Sequence, residues 1–284
     1  LLQAGRSGFG LGRTGKAADR HLVAPFTALD GARLHAGGEP GIADLVVSAM
    51  IEEGLSAEEA RQRCWFVDSR GLVVASRGDL APHKVPYSHD HPQLNDLLAA
   101  VEELRPSALI GVSGQPRTFT REVIERMGKY NQRPIIFALS NPTSKSECTA
   151  EEAYTYTGGR AIFASGSPFP SVKLYGKTYN PGQGNNSYIF PGVGLGIVVS
   201  GARRVTDEMF EAAARTLAAQ VTDDDMANGR IYPTLDRIRS VSAAIAAAVA
   251  EIAYRDGLAT EPEPGDLAAY VREYMYEPTY APLV

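Results

Sequence analysis

Three short segments combine small, polar and turn-forming residues in a way that suits a bound carboxylate or carboxamide. They are Gly111-Val112-Ser113-Gly114, Leu139-Ser140-Asn141-Pro142-Thr143 and Ala164-Ser165-Gly166-Ser167-Pro168. Each follows an apolar run that reads as a strand, so each falls at a strand tip, where binding groups concentrate. Asn-Pro and Ser-Pro also punctuate turns on their own account. Three such tips in succession, joined by Pro181-Gly-Gln-Gly-Asn185-Asn186, exceed what punctuation requires. The side-chain amides of Asn141 and Asn186 can donate and accept at once. A second constellation lies nearer the start of the chain. Gly37, Gly38 and Gly41 would let a pyrophosphate approach the backbone, with a helix beginning near Gly41 aiming its free N–H groups at it. Asp68 ends the run Trp65-Phe66-Val67 at roughly the sequence distance, about 20 residues, at which a dinucleotide fold holds an acid for the adenosine ribose. His35 stands where such a turn favours glycine, so a glycine-rich turn and a strand-end acid capping a loop explain the same residues as well.

Two other patterns carry less. His89-Asp90-His91 offers metal-ligand types, but neighbours on one loop seldom converge on a single ion, and a structural role is expected. Gly10-x-Gly12-x-x-Gly15-Lys16 superficially matches a phosphate loop, yet Ala17 stands where a Ser or Thr must hold Mg²⁺. Residues 1–31 therefore read as an irregular glycine-rich lead without a strand.

These residues must be positioned by regular elements. The chain has 284 residues, 44% of them hydrophobic, with 28 basic and 33 acidic side chains and a net charge of −5. That composition excludes general disorder, and no Lys/Arg-dense face points to nucleic acid. Apolar runs are interrupted, so no membrane span is expected. Cys64 and Cys148 are the only cysteines, which excludes a disulfide framework and predicts a reducing, cytoplasmic setting. Strands are predicted over 64–68, 108–112, 134–139 and 161–164, with helices over 42–53, 93–104, 119–129 and 149–157. Runs apolar on both faces and separated by helices indicate a parallel sheet covered on both sides. Thr149 before Glu151 and Glu152 reads as a helix cap. Beyond residue 192 the pattern is helical only, over 194–202, 207–220 and 238–255, followed by a Pro- and Tyr-rich tail that should pack over a neighbour. The predicted fold is a doubly wound parallel α/β sheet over 32–192, with C-terminal helices and tail over 193–284 packed on the same domain.

The strand tips also carry a resemblance. PIIFALSNPTSKSECTAEEAY (134–154), GRAIFASGSPF (159–169), PGQGNNSYIFPGVGLG (181–196), DSRGLV (68–73) and GVSGQPRTFTREVIERM (111–127) resemble the NAD(P)-binding domain of malic enzymes, in their plant and bacterial forms. The resemblance implies a Rossmann-like domain and the oxidative decarboxylation of (S)-malate to pyruvate and CO₂, with NADP or NAD and Mg²⁺ or Mn²⁺ in a complete, homo-oligomeric enzyme. It implies that Asn141 and Asn186 contact the malate or the nicotinamide side of the site. It also implies that Gly37, Gly38, Asp68, Ser69, Val112, Ser113, Gly114, Leu139, Ser140 and Gly166 line the dinucleotide. The general-base Lys, general-acid Tyr and metal-binding acids of the family have no counterpart here, so no catalytic or metal residue is assigned and the chain alone is expected to be inactive. A non-catalytic nucleotide-binding module is the alternative; an amino-acid dehydrogenase would share the sheet but lack the GQGNN and SNPTS strings. Asp68 would favour the 2′-hydroxyl of NAD. Arg70 and Lys84, the latter where NADP-preferring members carry a Lys, would favour the 2′-phosphate of NADP, and NADP is the expected cofactor.

Overall fold

The computed structural model describes residues 22–25 and 38–277. Leu22–Pro25 forms β1, Cys64–Asp68 β2, Gly71–Leu72 β3, Ala108–Gly111 β4, Ile135–Ala138 β5, Ile162–Ser165 β6, Val172–Leu174 β7, Lys177–Tyr179 β8 and Gly182–Gln183 β9. The first four residues of β2 and every residue of β4, β5 and β6 are buried. Strands without an exposed face belong in the middle of a covered parallel sheet, and the sheet order is β3-β2-β1-β4-β5-β6-β9. Only β3 runs antiparallel, folded back on β2; the other neighbours pair in parallel. The chain passes from β1 outward to β2, then returns to the other side of β1 for β4. That reversal between β1 and β4 is the switch point outside which open α/β sheets bind ligands.

The helices of this sheet are α1 (Gly38–Glu52), α2 (Ala57–Gln62), α3 (Leu97–Leu104), α4 (Arg121–Tyr130) and α5 (Ala150–Tyr156). Their starts follow from short polar side chains that accept orphan backbone N–H groups. Asp96 and Thr120 cap α3 and α4. Ser56 with Glu59, and Thr149 with Glu152, form reciprocal capping boxes at α2 and α5. The apolar faces of α3, α4 and α5 meet one side of the sheet around Leu109, Ile136 and Phe163. β7 and β8 form a separate hairpin.

The chain divides into two compact units. One holds the sheet up to Gly184 together with Asp224–Ile231; the other holds Asn185–Asp223 and the chain from Tyr232 onward. In the second unit α6 (Phe190–Ser200) lies against α9 (Ile238–Arg255), which also packs on α7 (Asp207–Ala219). Buried Tyr188, Met209, Ala213, Ile245 and Val249 fill that core. Of the other helices, α8 (Asp223–Ala227) falls in the first unit from Asp224 onward, and α10 (Leu267–Tyr274) in the second.

Several expectations need correction. The lead reads as strandless from sequence, yet β1 lies inside it and occupies the middle of the sheet. Four residues ending in proline are too few to show a periodicity. The boundary between units falls at Gly184, ahead of the 192–193 division, because the sheet's last strand is β9 and the next unit starts at Asn185. The tail contains a helix, α10, whose Val271 is buried beside Val199, Ala246 and Ala250. No helix among the described residues is long and apolar enough to cross a membrane.

Candidate functional site

The sheet brings the C-terminal ends of β2, β4, β5 and β6 along one edge, and the predicted tips follow from them. Gly37 lies outside the described residues; Gly38 is the first residue of α1.

At the β2 end, Asp68 sits in a web of cations. Its Oδ1 accepts the Arg70 backbone N–H and an Arg77 guanidinium N–H, both at 2.9 Å. Its Oδ2 accepts Arg77 at 3.1 Å and the Lys84 ammonium at 2.8 Å. Burial works to raise the Asp68 carboxyl, and the bonds from Arg77, Lys84 and the Arg70 N–H hold it below the ordinary aspartate value. Lys84 is only 6% exposed. It rides on the short 3₁₀ turn Pro82–Tyr87, anchored where the Tyr87 hydroxyl donates to Asp44 of α1. Arg77 also binds Asp79, and Asp79 pairs with the exposed Arg70. Three cations thus face two carboxylates. Ser69 is exposed in the turn to β3. The sequence reading of Asp68 as a lone acid opposed by Lys84 and Arg70 missed Arg77, whose bidentate bond only the folded turn reveals.

The β4 and β5 tips are tied together. Gly114 N–H donates to the Ser140 hydroxyl at 2.8 Å, and Gln115 N–H to the Ser113 hydroxyl at 3.1 Å. Ser113 and Ser140 are buried, while Val112 and Leu139 are partly exposed. Beneath both tips lies Glu147, fully buried, which accepts from Ser113 and Ser140. Sequence reasoning passed over it; its one signal was an acid inside the small, polar loop Thr143–Thr149. Asn141 presents an exposed side chain whose Oδ1 accepts the Ser167 hydroxyl at 2.7 Å, leaving its NH₂ to donate elsewhere. Gly166 is required by packing: a Cβ there would lie 2.1 Å from the Leu139 carbonyl oxygen and 2.8 Å from Asn141 Nδ2. Asn141, Gly166 and Leu139 therefore share one corner. Asn186 is exposed on the 3₁₀ turn Asn186–Tyr188 that opens the second unit.

The His89-Asp90-His91 segment is structural. His89 packs against Trp65 with ring centroids 4.1 Å apart and the planes tilted by 43°, and its Nε2 lies 2.8 Å from the Cys64 carbonyl. Both cysteines are buried and unpaired, and burial pushes the Cys64 thiol up to about 12. Among the described residues no three His, Cys, Asp or Glu side chains converge as a metal site.

Comparison with known proteins gives the family and the fold. Residues 30–254 match the family described as malic enzyme, NAD binding domain. The chain is 54% identical over 243 residues to the chloroplastic NADP-dependent malic enzyme of Zea mays, covering 84% of this chain and 38% of that enzyme. It is 53% identical over 243 residues to the chloroplastic enzyme of Flaveria pringlei, with the same 84% and 38% coverage. The chain thus spans about two fifths of the length of these relatives. The crystal structure of the Entamoeba histolytica malic enzyme superposes with a TM-score of 0.66 at 23% identity, over 88% of this chain and 46% of that one, which supports the fold. The cytoplasmic placement is corrected by the chloroplastic relatives. Two free cysteines are compatible with more than one compartment and do not single out the cytoplasm.

Proposed function

The chain belongs to the malic enzyme family, and from that premise we propose that it is the NADP-holding part of an enzyme that oxidatively decarboxylates malate to pyruvate and CO₂. The observation that carries the cofactor half of this reading is the β2-end cluster. A bare aspartate there would repel a 2′-phosphate; here Arg77 and Lys84 cancel Asp68, and Arg70 stands exposed beside them. A phosphate near-dianion gains charge-assisted hydrogen bonds from such cations. The dinucleotide would lie across the switch point, over Ser113-Gly114 and Ser140, with Asn141 donating to the nicotinamide or the substrate carboxylate. When bound, the nicotinamide supplies hydride acceptance; the residues of this chain orient and hold it. The divalent metal of the family's chemistry finds no donor set among the described residues, and no step here is routed through it.

Calorimetric titration of the chain with NADP⁺ and NAD⁺ tests the reading. NADP⁺ should bind about tenfold tighter or better, the equivalent of one charge-assisted contact. Lys84→Gln and Arg70→Gln should each narrow that gap. Equal affinities, or a gap untouched by both substitutions, would overturn the assignment of the cluster to the 2′-phosphate.

A further inference from the structure

We infer that Glu147 is a positioning residue whose carboxylate locks the β4 and β5 tips in one register and so fixes the shape of the dinucleotide cleft, an inference that rests on the nucleotide reading above. Its side chain is fully buried, and hydrogen-bond donors from two loops surround it. Oε1 accepts the Ser113 N–H at 3.3 Å and the Ser113 hydroxyl at 3.5 Å, together with the hydroxyl of Ser140. Oε2 accepts the Ser140 N–H at 3.3 Å. Backbone N–H groups can only donate. Both oxygens must therefore accept at once, one toward each loop.

A carboxylate meets that demand and a carboxamide cannot, because its nitrogen would set a donor against one of the two N–H groups. The constraint extends outward. With its O–H donating to Glu147, the Ser140 hydroxyl oxygen accepts from Gly114 N–H at 2.8 Å. Glu147 also fills the space below the last residue of β4: a Cβ on Gly111 would lie 2.5 Å from Glu147 Cγ and 2.6 Å from Cδ. Burying an ionisable group carries a cost unless it is well matched. A buried acid matched by the neighbouring loops after β4 and β5 earns its place through the loops it fixes, since preorganised loops bind with less ordering entropy to lose.

The test uses Glu147→Gln, which keeps size and shape, with backbone amide exchange and NADP⁺ calorimetry on the chain. Exchange at Ser113, Gly114 and Ser140 should quicken about tenfold or more while Leu109–Gly111 and Ile136–Ala138 keep their protection, and NADP⁺ affinity should fall about tenfold. Unchanged exchange at the three tip amides, or equal acceleration throughout the sheet, would overturn the role. So would faster tips with unaltered NADP⁺ affinity. Should the unsubstituted chain fail to bind NADP⁺, the nucleotide reading falls separately, and the inference about the cleft falls with it even if exchange shows the loops to be held. If Glu147→Gln does not fold, Ser140→Ala removes the bridge to Gly114 in a smaller step. Faster exchange at Gly114 and weaker NADP⁺ binding then support the role, and neither change overturns it.

Discussion

Asp68, Arg77 and Lys84 show how the environment changes what a residue type means. An aspartate at a strand end reads from sequence as a ribose ligand, and as an obstacle to a phosphate. Buried between a bidentate guanidinium and an ammonium, it becomes the anion that pairs with Arg77 and Lys84 out of bulk water. Asp68→Asn should then destabilise the chain by about 3 kcal/mol, because it strands buried positive charge rather than merely deleting a bond. The pH dependence follows from the sign of the shift. The folded-state carboxyl is held below its ordinary value, so its contribution is complete above about pH 3.9 and is lost as pH falls through the lower, folded value. Urea unfolding at pH 7 and at progressively lower pH should show the gap between parent and Asp68→Asn narrowing in acid; a gap that stays constant would refute the pairing as the source. Lys84 and Asp68 were legible as candidates, whereas Arg77 and Glu147 were not. Their roles come from turns that bring residues 9 and 34 positions apart in sequence into contact, and no local pattern encodes that.

At the scale of elements, legibility tracked burial. The strands β2, β4, β5 and β6 stood out because they are apolar on both faces, and α5 because Thr149 and Glu152 announce its start. β3 and β9 did not, being two residues long, and β1 did not because its four residues end in Pro25 within a glycine-rich lead. Helix packing hides in the same way. The sequence PGVGLG reads as a weak helix, since glycine costs about 1 kcal/mol in a helix interior. The fold shows that its glycines are unequal. A Cβ on Gly196 would lie 2.6 Å from the Ala246 carbonyl oxygen and 2.8 Å from Val249 Cβ, whereas one on Gly194 meets nothing within 4 Å. Gly194→Ala should therefore stabilise the chain by about 0.5–1 kcal/mol, and Gly196→Ala should destabilise it by about 1–3 kcal/mol by forcing α6 from α9. Thermal unfolding of the two variants side by side checks the packing directly; shifts of the same sign in both would contradict it.

Across the whole molecule, holding a dinucleotide and turning over malate make different demands. Removing hydride from a secondary alcohol needs a base at the hydroxyl. Losing CO₂ from the resulting β-keto acid needs an electron sink, the task a metal performs by polarising the ketone. The strand tips offer amides, hydroxyls and N–H groups suited to holding a dinucleotide and a carboxylate. Asp68 is taken up by Arg77 and Lys84, Glu147 by two serines, and both cysteines are buried. No three metal-ligating side chains meet among the described residues. The chain spans about two fifths of its Zea mays relative. Binding and turnover should accordingly separate. The purified chain, given malate, NADP⁺ and Mn²⁺ or Mg²⁺, should quench or shift a bound-nucleotide signal while producing no reduced nicotinamide. Malate-dependent NADPH formation at a rate approaching that of a full-length relative would show that a base and a metal site lie within these 284 residues after all, and would move the search for them to the segments outside the described fold.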